Sequence, residues 1–203
     1  SGDVTDHIIT ETVIRVDKRM SYNGVARMLA GDEKELGENE AFVPMIKMMK
    51  ELSDIVRGRR GKRGSVNFDF PETKVILDEK GRAADIRPYE RNDATKIIED
   101  FMLLANETVA EEYYWREIPF LYRTHEQPDE EKIRQLNTFV NNFGYHIHMR
   151  NEIRPKEIQK LLDKAEGTPE EALISRLTLR SMKRARYTPD NAGHFGLAAK
   201  YYT

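Results

Sequence analysis

Residues 92–117 read NDATKIIEDFMLLANETVAEEYYWRE, and they decide the fold class. Ala94, Ile97, Ile98, Phe101, Met102, Ala105 and Val109 recur at spacings of three and four, the period of a helix with one apolar face. Asn92 stands where a capping side chain is wanted. The spacing predicts the longest helix of the chain. Just upstream, TKVILD (73–78) and AADIRPYE (83–90) flank a turn at Glu79-Lys80-Gly81-Arg82 and read as a hairpin; SVNFDF (65–70) reads as another strand. Farther back, Phe42, Met45, Ile46, Met49, Leu52 and Val56 predict an amphipathic helix over 38–57 with one buried stripe. It ends in RGRRGKRG (57–64), a basic run whose glycines suggest a flexible setting. Ser21 can cap a short helix through Val25, Met28 and Leu29, and HIITETVIRV (7–16) reads as a strand. Downstream, PFLYRTHE (119–126) reads as a strand, and Pro128-Asp129 opens a helix to about Phe143. YHIHM (145–149) is a candidate short strand, and helices follow near 155–165 and 169–184. The chain reads as α+β and mostly helical, with a small antiparallel sheet and a long central helix.

A length of 203 residues suffices for one sizeable domain. Charged residues reach 33% against 39% hydrophobic, the balance of a helix-rich, surface-rich piece. The formal net charge is -2, so overall charge does not point to nucleic acid, and any such function must come from local patches. There is no cysteine, which excludes a disulfide scaffold and a thiolate zinc site and fits a reducing cytoplasm. No apolar run approaches the ~18 residues of a membrane span, and no signal peptide opens the chain, so no membrane partner is expected. Ser1-Gly2 reads as a cloning scar, leaving 3–203 as a single domain.

Five islands carry a family likeness: RMSYNGV (19–25), RGSVNFDFPE (63–72), RNDATKIIEDFMLLAN (91–106), LYRTHEQP (121–128) and LRSMKRARY…GHFGLA (179–198). In order and spacing they resemble the RNB catalytic domain of the ribonuclease R and ribonuclease II family, with the RNDA opening and the LRSMK run closer to ribonuclease R. The resemblance implies the middle portion of an RNB domain, truncated at both ends. The family's metal-binding aspartate cluster and its Ser-Pro-Ile-Arg-Arg segment with a catalytic arginine are not among the 203 residues. It also implies a parent enzyme that hydrolyses single-stranded RNA processively from the 3′ end to nucleoside 5′-monophosphates. Mg²⁺ would be held by residues outside this chain, and the fragment alone would be inactive. A cytoplasmic, monomeric parent is expected. Alternatives are a catalytically dead RNA-binding or adaptor protein of the same fold, or a purely structural helical domain.

The resemblance also implies roles. Tyr22 matches a tyrosine that contacts the 3′-terminal nucleotides; its bland reading is a half-buried residue at a helix start. Phe68 matches an aromatic clamp on the last base, a contact that accepts any base. Phe68 and Phe70 share a face of the expected strand, so one can be clamp and the other core. Glu99 matches the glutamate that accepts a hydrogen bond from the terminal ribose, which would separate RNA from DNA; a solvated helix acid is the alternative. Asp100 cannot face the same ribose, because adjacent helix positions diverge by about 100°. Asn106, seven residues after Glu99, either extends a polar track or is an ordinary helix amide. Two basic patches could bind phosphates: Arg57, Arg59, Arg60, Lys62 and Arg63 in the first, of which Arg59, Arg60 and Arg63 are the candidates, and Arg184 with Arg180, Lys183 and Arg186 in the second. His146 and His148 alternate but lack further ligands for a metal, and His125 and His194 read as structural.

Overall fold

The computed structural model describes residues 1–68, 73–88, 91–149 and 152–203. In chain order they form α1 (Tyr22–Leu29), α2 (Glu33–Glu38), a 3₁₀ turn (Glu40–Phe42), α3 (Val43–Arg63), β1 (Thr73–Leu77), β2 (Ala83–Pro88), α4 (Asp93–Trp115), β3 (Tyr122–Thr124), α5 (Glu130–Asn141), α6 (Pro155–Ala165), α7 (Glu171–Ser181) and β4 (Arg186–Thr188). About 49% of the described residues are helical, and β1–β2 and β3–β4 form two small antiparallel sheets. The chain sorts into a larger unit (1–10, 55–68 and 102–203) and a smaller one (11–54 and 69–101).

Local chemistry explains most element starts. Ser21 Oγ accepts from Gly24 N at 3.1 Å and opens α1. Asn92 and Thr95 exchange hydrogen bonds at the start of α4: Thr95 N donates to Asn92 Oδ1 at 3.0 Å, and Asn92 N donates to Thr95 Oγ1 at 3.1 Å. Asp129 caps α5, accepting from Glu131 N at 2.9 Å, and Pro155 sits at the first position of α6. The β1–β2 hairpin turns where expected, with Asp78 Oδ1 accepting from Lys80 N and Arg82 N at 2.8 and 2.9 Å.

In the smaller unit α1 packs on α2. Its most buried contact is polar. Ser53 of α3 and Asp100 of α4 are both inaccessible, and Ser53 Oγ donates to Asp100 Oδ2 at 2.5 Å. The buried lines of both helices keep part of the expected stripes and run through this polar pair. On α4 the buried line is Ala94, Ile97, Asp100 and Leu103, while Ile98 and Met102 are 46% and 50% exposed. On α3 it is Ile46, Ser53 and Val56, while Met45 and Leu52 face solvent. In the larger unit α5, α6 and α7 surround a core whose fully buried members include Ile133, Val140, Ile147, Ile158, Leu161 and Ile174.

Four expectations fail for physical reasons. Residues 7–16 form no strand; Ile8, Val13 and Ile14 are 84%, 103% and 79% exposed, because no described segment offers them a ladder. Residues 65–68 form none either. Their amides are taken elsewhere: Val66 N donates to Gly196 O at 2.7 Å and Asn67 N to Gln159 Oε1 at 2.6 Å. YHIHM is likewise irregular, since Ile147 N is claimed by Asn137 Oδ1 at 2.8 Å. The basic run is not a flexible loop. It is the end of α3, where arginine and lysine propagate a helix well and suit its negative pole. Gly64, at φ +97°, stops it, with Gly64 N and Ser65 N both donating to Arg60 O at 3.0 and 3.1 Å.

Candidate nucleic-acid interface

Two of the expected site residues lie in the smaller unit. Tyr22 is the first residue of α1 and is 47% exposed, so its phenol is available to a ligand. Glu99 lies on α4 and is paired with Arg91, whose Nη2 donates to the two carboxylate oxygens at 2.7 and 3.0 Å. A third of the Glu99 side chain remains accessible, and a carboxylate has about four lone-pair sites, so it can accept further bonds. Asp100 points the other way, into the core with Ser53, as the turn between adjacent helix positions requires.

The other five lie in the larger unit. Phe68 is half-buried and packs against the helical core, so part of its ring serves that core. Phe70 lies outside the described residues. Arg59, Arg60 and Arg63 are brought together on one cleft of about 760 Å³. Acids line it too, namely Asp3, Asp6, Glu107, Glu111 and Glu112. Arg59 Nη2 is 2.6 Å from Asp3, and its Nη1 donates to the Gly2 carbonyl. Arg63 grips both oxygens of Glu107 at 2.7 and 2.8 Å and donates to Leu197 O at 3.2 Å. A phosphate entering here must displace carboxylates, so this cleft is a mixed-charge wall rather than an open basic patch. Arg184, just beyond α7, is exposed and has no ion pair among the described residues.

Several other groups are engaged in contacts within the chain. Asn106 donates to the Tyr202 hydroxyl at 3.2 Å. His125 Nδ1 accepts from Gly196 N at 3.1 Å and His194 Nδ1 from Leu197 N at 3.2 Å, so both rings brace the GHFG turn as neutral acceptors. Burial pushes the His194 imidazole down to about 4, with His125 and Arg123 adding to the effect. Burial lowers His125 as well, partly offset by the Lys183 carbonyl. His146 and His148 touch ring to ring, 5.0 Å between centroids. Among the described residues no three His, Cys, Asp or Glu side chains converge as a metal site. The sequence reading passed over Ser53–Asp100, and nothing in a lone serine signals it. It also passed over Glu126, which binds Lys183 at 2.8 Å and Arg186 at 2.6 Å. The Lys183 hydrogen bond and the two positive charges hold the Glu126 carboxyl below its ordinary value.

Comparison with known proteins places this geometry. The family described as the RNB domain matches residues 1–203. The chain is 44% identical over 202 residues to ribonuclease R of Aquifex aeolicus, covering 100% of this chain and 29% of that protein. It is 43% identical over 203 residues to ribonuclease R of Thermotoga maritima, again over 100% of this chain and 28% of the relative. The chain thus spans less than a third of the length of either. Among solved structures, the apo form of Mycoplasma genitalium RNase R superposes with a TM-score of 0.85 at 27% identity, over 91% of this chain and 29% of that one. That enzyme has also been solved in complex with ribose-methylated single-stranded RNA and with double-stranded RNA. No helix among the described residues is long and apolar enough to cross a membrane. On a match that runs the whole length of the sequence, the chain belongs to the RNB domain family.

Proposed function

We infer that this chain is the substrate-holding part of a 3′→5′ exoribonuclease that degrades single-stranded RNA processively to nucleoside 5′-monophosphates. The observation that carries the reading is the end-to-end likeness to proteins named ribonuclease R. Tyr22 and Glu99 read the terminal ribose, Glu99 as acceptor for the 2′-hydroxyl. The accessible part of Phe68 stacks on the last base. Arg184 attracts phosphates, while Arg59 and Arg63 reach them only by exchanging Asp3 and Glu107. Arg60 lines the same cleft. The Mg²⁺ of the family reaction finds no fitting ligand set among the described residues, so no hydrolytic step is assigned to them. A cytoplasmic, monomeric parent goes with this reading.

The test compares this chain with a full-length enzyme that contains it, on 5′-labelled oligo(A) with Mg²⁺. The full-length enzyme is expected to shorten the strand to mononucleotides. The chain alone is expected only to bind, weakly and with affinity falling steeply with salt. Enzyme-like mononucleotide release by the chain alone would overturn the division of labour. Absence of RNA binding at low salt would overturn the RNA-holding role.

A further inference from the structure

β3 and β4 pair in a register that sets Arg123 directly opposite Tyr187. Strand alternation sends Tyr122 and Thr124 inward, where they are 5% and 1% exposed, and turns Arg123 outward. Tyr187 is 60% exposed. The Arg123 guanidinium carbon lies 5.9 Å from the Tyr187 ring centroid, within reach of a cation–π contact. No other aromatic ring touches Tyr187 among the described residues, and more than half of the residue is open to solvent.

The charge around it is cationic. Lys183, Arg184 and Arg186 precede Tyr187 in the chain, and all three are exposed. Glu126 neutralises one charge while binding both Lys183 and Arg186, and Asp190 follows on the far side. Arg186 pairs with Thr124, so alternation turns its side chain to that side of the sheet, where it and Lys183 share Glu126; Arg123 beside the ring and the exposed Arg184 are the cations left to serve the outer face. An exposed aromatic on a sheet face, flanked by cations, is the arrangement that holds a single-stranded base: the ring supplies a sequence-tolerant stack and the cations attract the adjoining phosphates.

We propose that the outer face of β3–β4 is a single-stranded RNA contact in which a base stacks on Tyr187, backed by Arg123, with the exposed Arg184 attracting the adjoining phosphates. This rests on the RNA-holding reading and adds a base contact made by residues other than Tyr22, Phe68 and Glu99. It would grip the strand without selecting its sequence, which suits an enzyme that must accept every nucleotide.

The test measures binding of this chain at low salt to a labelled single-stranded RNA and to a matched abasic strand, which keeps the phosphates and lacks the bases. Tyr187→Ala is expected to weaken binding of the RNA roughly 5- to 100-fold and to leave the abasic strand within about twofold. Tyr187→Phe keeps the ring and is expected to restore the affinity. Arg123→Gln should weaken both strands, since it removes a charge as well as the backing of the ring. If Tyr187→Ala binds RNA as the unmodified chain does, this contact is wrong while the RNA-holding reading stands on its other residues. Equal losses on both strands would make Tyr187 a structural residue and overturn the stack. Competition by an acidic peptide with undiminished RNA binding in Tyr187→Ala would assign the face to a protein partner instead. If the unmodified chain binds neither strand, the RNA-holding reading falls and takes this contact with it.

Discussion

Glu99 and Asp100 are neighbours in sequence with opposite fates. Asp100 is enclosed and bonded to Ser53, whereas Glu99 keeps an accessible edge beside Arg91. Only Glu99 can therefore meet a ligand, and its chemistry is acceptance. If Glu99 reads the terminal ribose as proposed, a 3′-terminal deoxynucleotide on a full-length enzyme containing this chain leaves that acceptor without its ligand donor, with an expected cost of roughly 1–3 kcal/mol, or about 5- to 150-fold in kcat/KM. Glu99→Ala is expected to remove the penalty, because no acceptor is left unsatisfied. Tyr22→Phe added to it should relax the preference further. The measurement is kcat/KM on matched RNA and deoxy-ended substrates; full RNA preference in both variants would make Glu99 a helix-surface acid held by Arg91.

At the scale of elements, α3 shows how one residue sets a boundary. Its basic end runs two turns farther than apolar periodicity suggests, and Gly64 then halts it in a left-handed conformation. A Cβ there would lie 2.7 Å from Lys156 Cβ and 3.0 Å from Lys156 Cα, at the start of α6. Both the backbone strain and the clash oppose a side chain. Gly64→Ala is expected to destabilise the larger unit by about 2 kcal/mol or more, read as a lower urea midpoint. An unchanged midpoint would mean that the helix end and α6 can part without cost.

For the whole molecule, the response to acid follows from the histidines of the GHFG turn. His194 is depressed to about 4 in the fold, so between its ordinary value near 6.5 and 4 the unfolded chain binds a proton that the folded chain refuses. His125 is shifted in the same direction. Stability from these neutral rings is complete above about pH 6.5 and is lost as pH falls toward 4. The loss at His194 is about 1–3 kcal/mol after allowing for its partial exposure. His194→Gln should be less stable than the parent chain at neutral pH, with a gap that narrows steadily between pH 6.5 and 4. A gap that stays constant over that range would mean the ring is charged in the fold.

What the sequence determined by itself is local. Asn92, Ser21 and Asp129 announced their helix starts, because a cap is a hydrogen bond between residues two or three apart. The β1–β2 hairpin was legible for the same reason, since Asp78 and Gly81 make the turn within five residues. The family likeness was legible from the islands, and with it the candidate residues. The tertiary structure alone decided which face of each long helix is buried. Ile98 and Met102 look like core, yet they are exposed, while the buried line of α4 runs from Ala94 and Ile97 through Asp100, which is bonded to a serine 47 positions away. It also decided the partners of the charges. Arg59 and Arg63 read as open phosphate ligands in a basic run, but folding brings Asp3 and Glu107 to them from distant parts of the chain. Coulomb attraction and strand pairing act through space, so a one-dimensional pattern cannot reveal a carboxylate that arrives from 44 residues away or the Arg123–Tyr187 pair that β3 and β4 create.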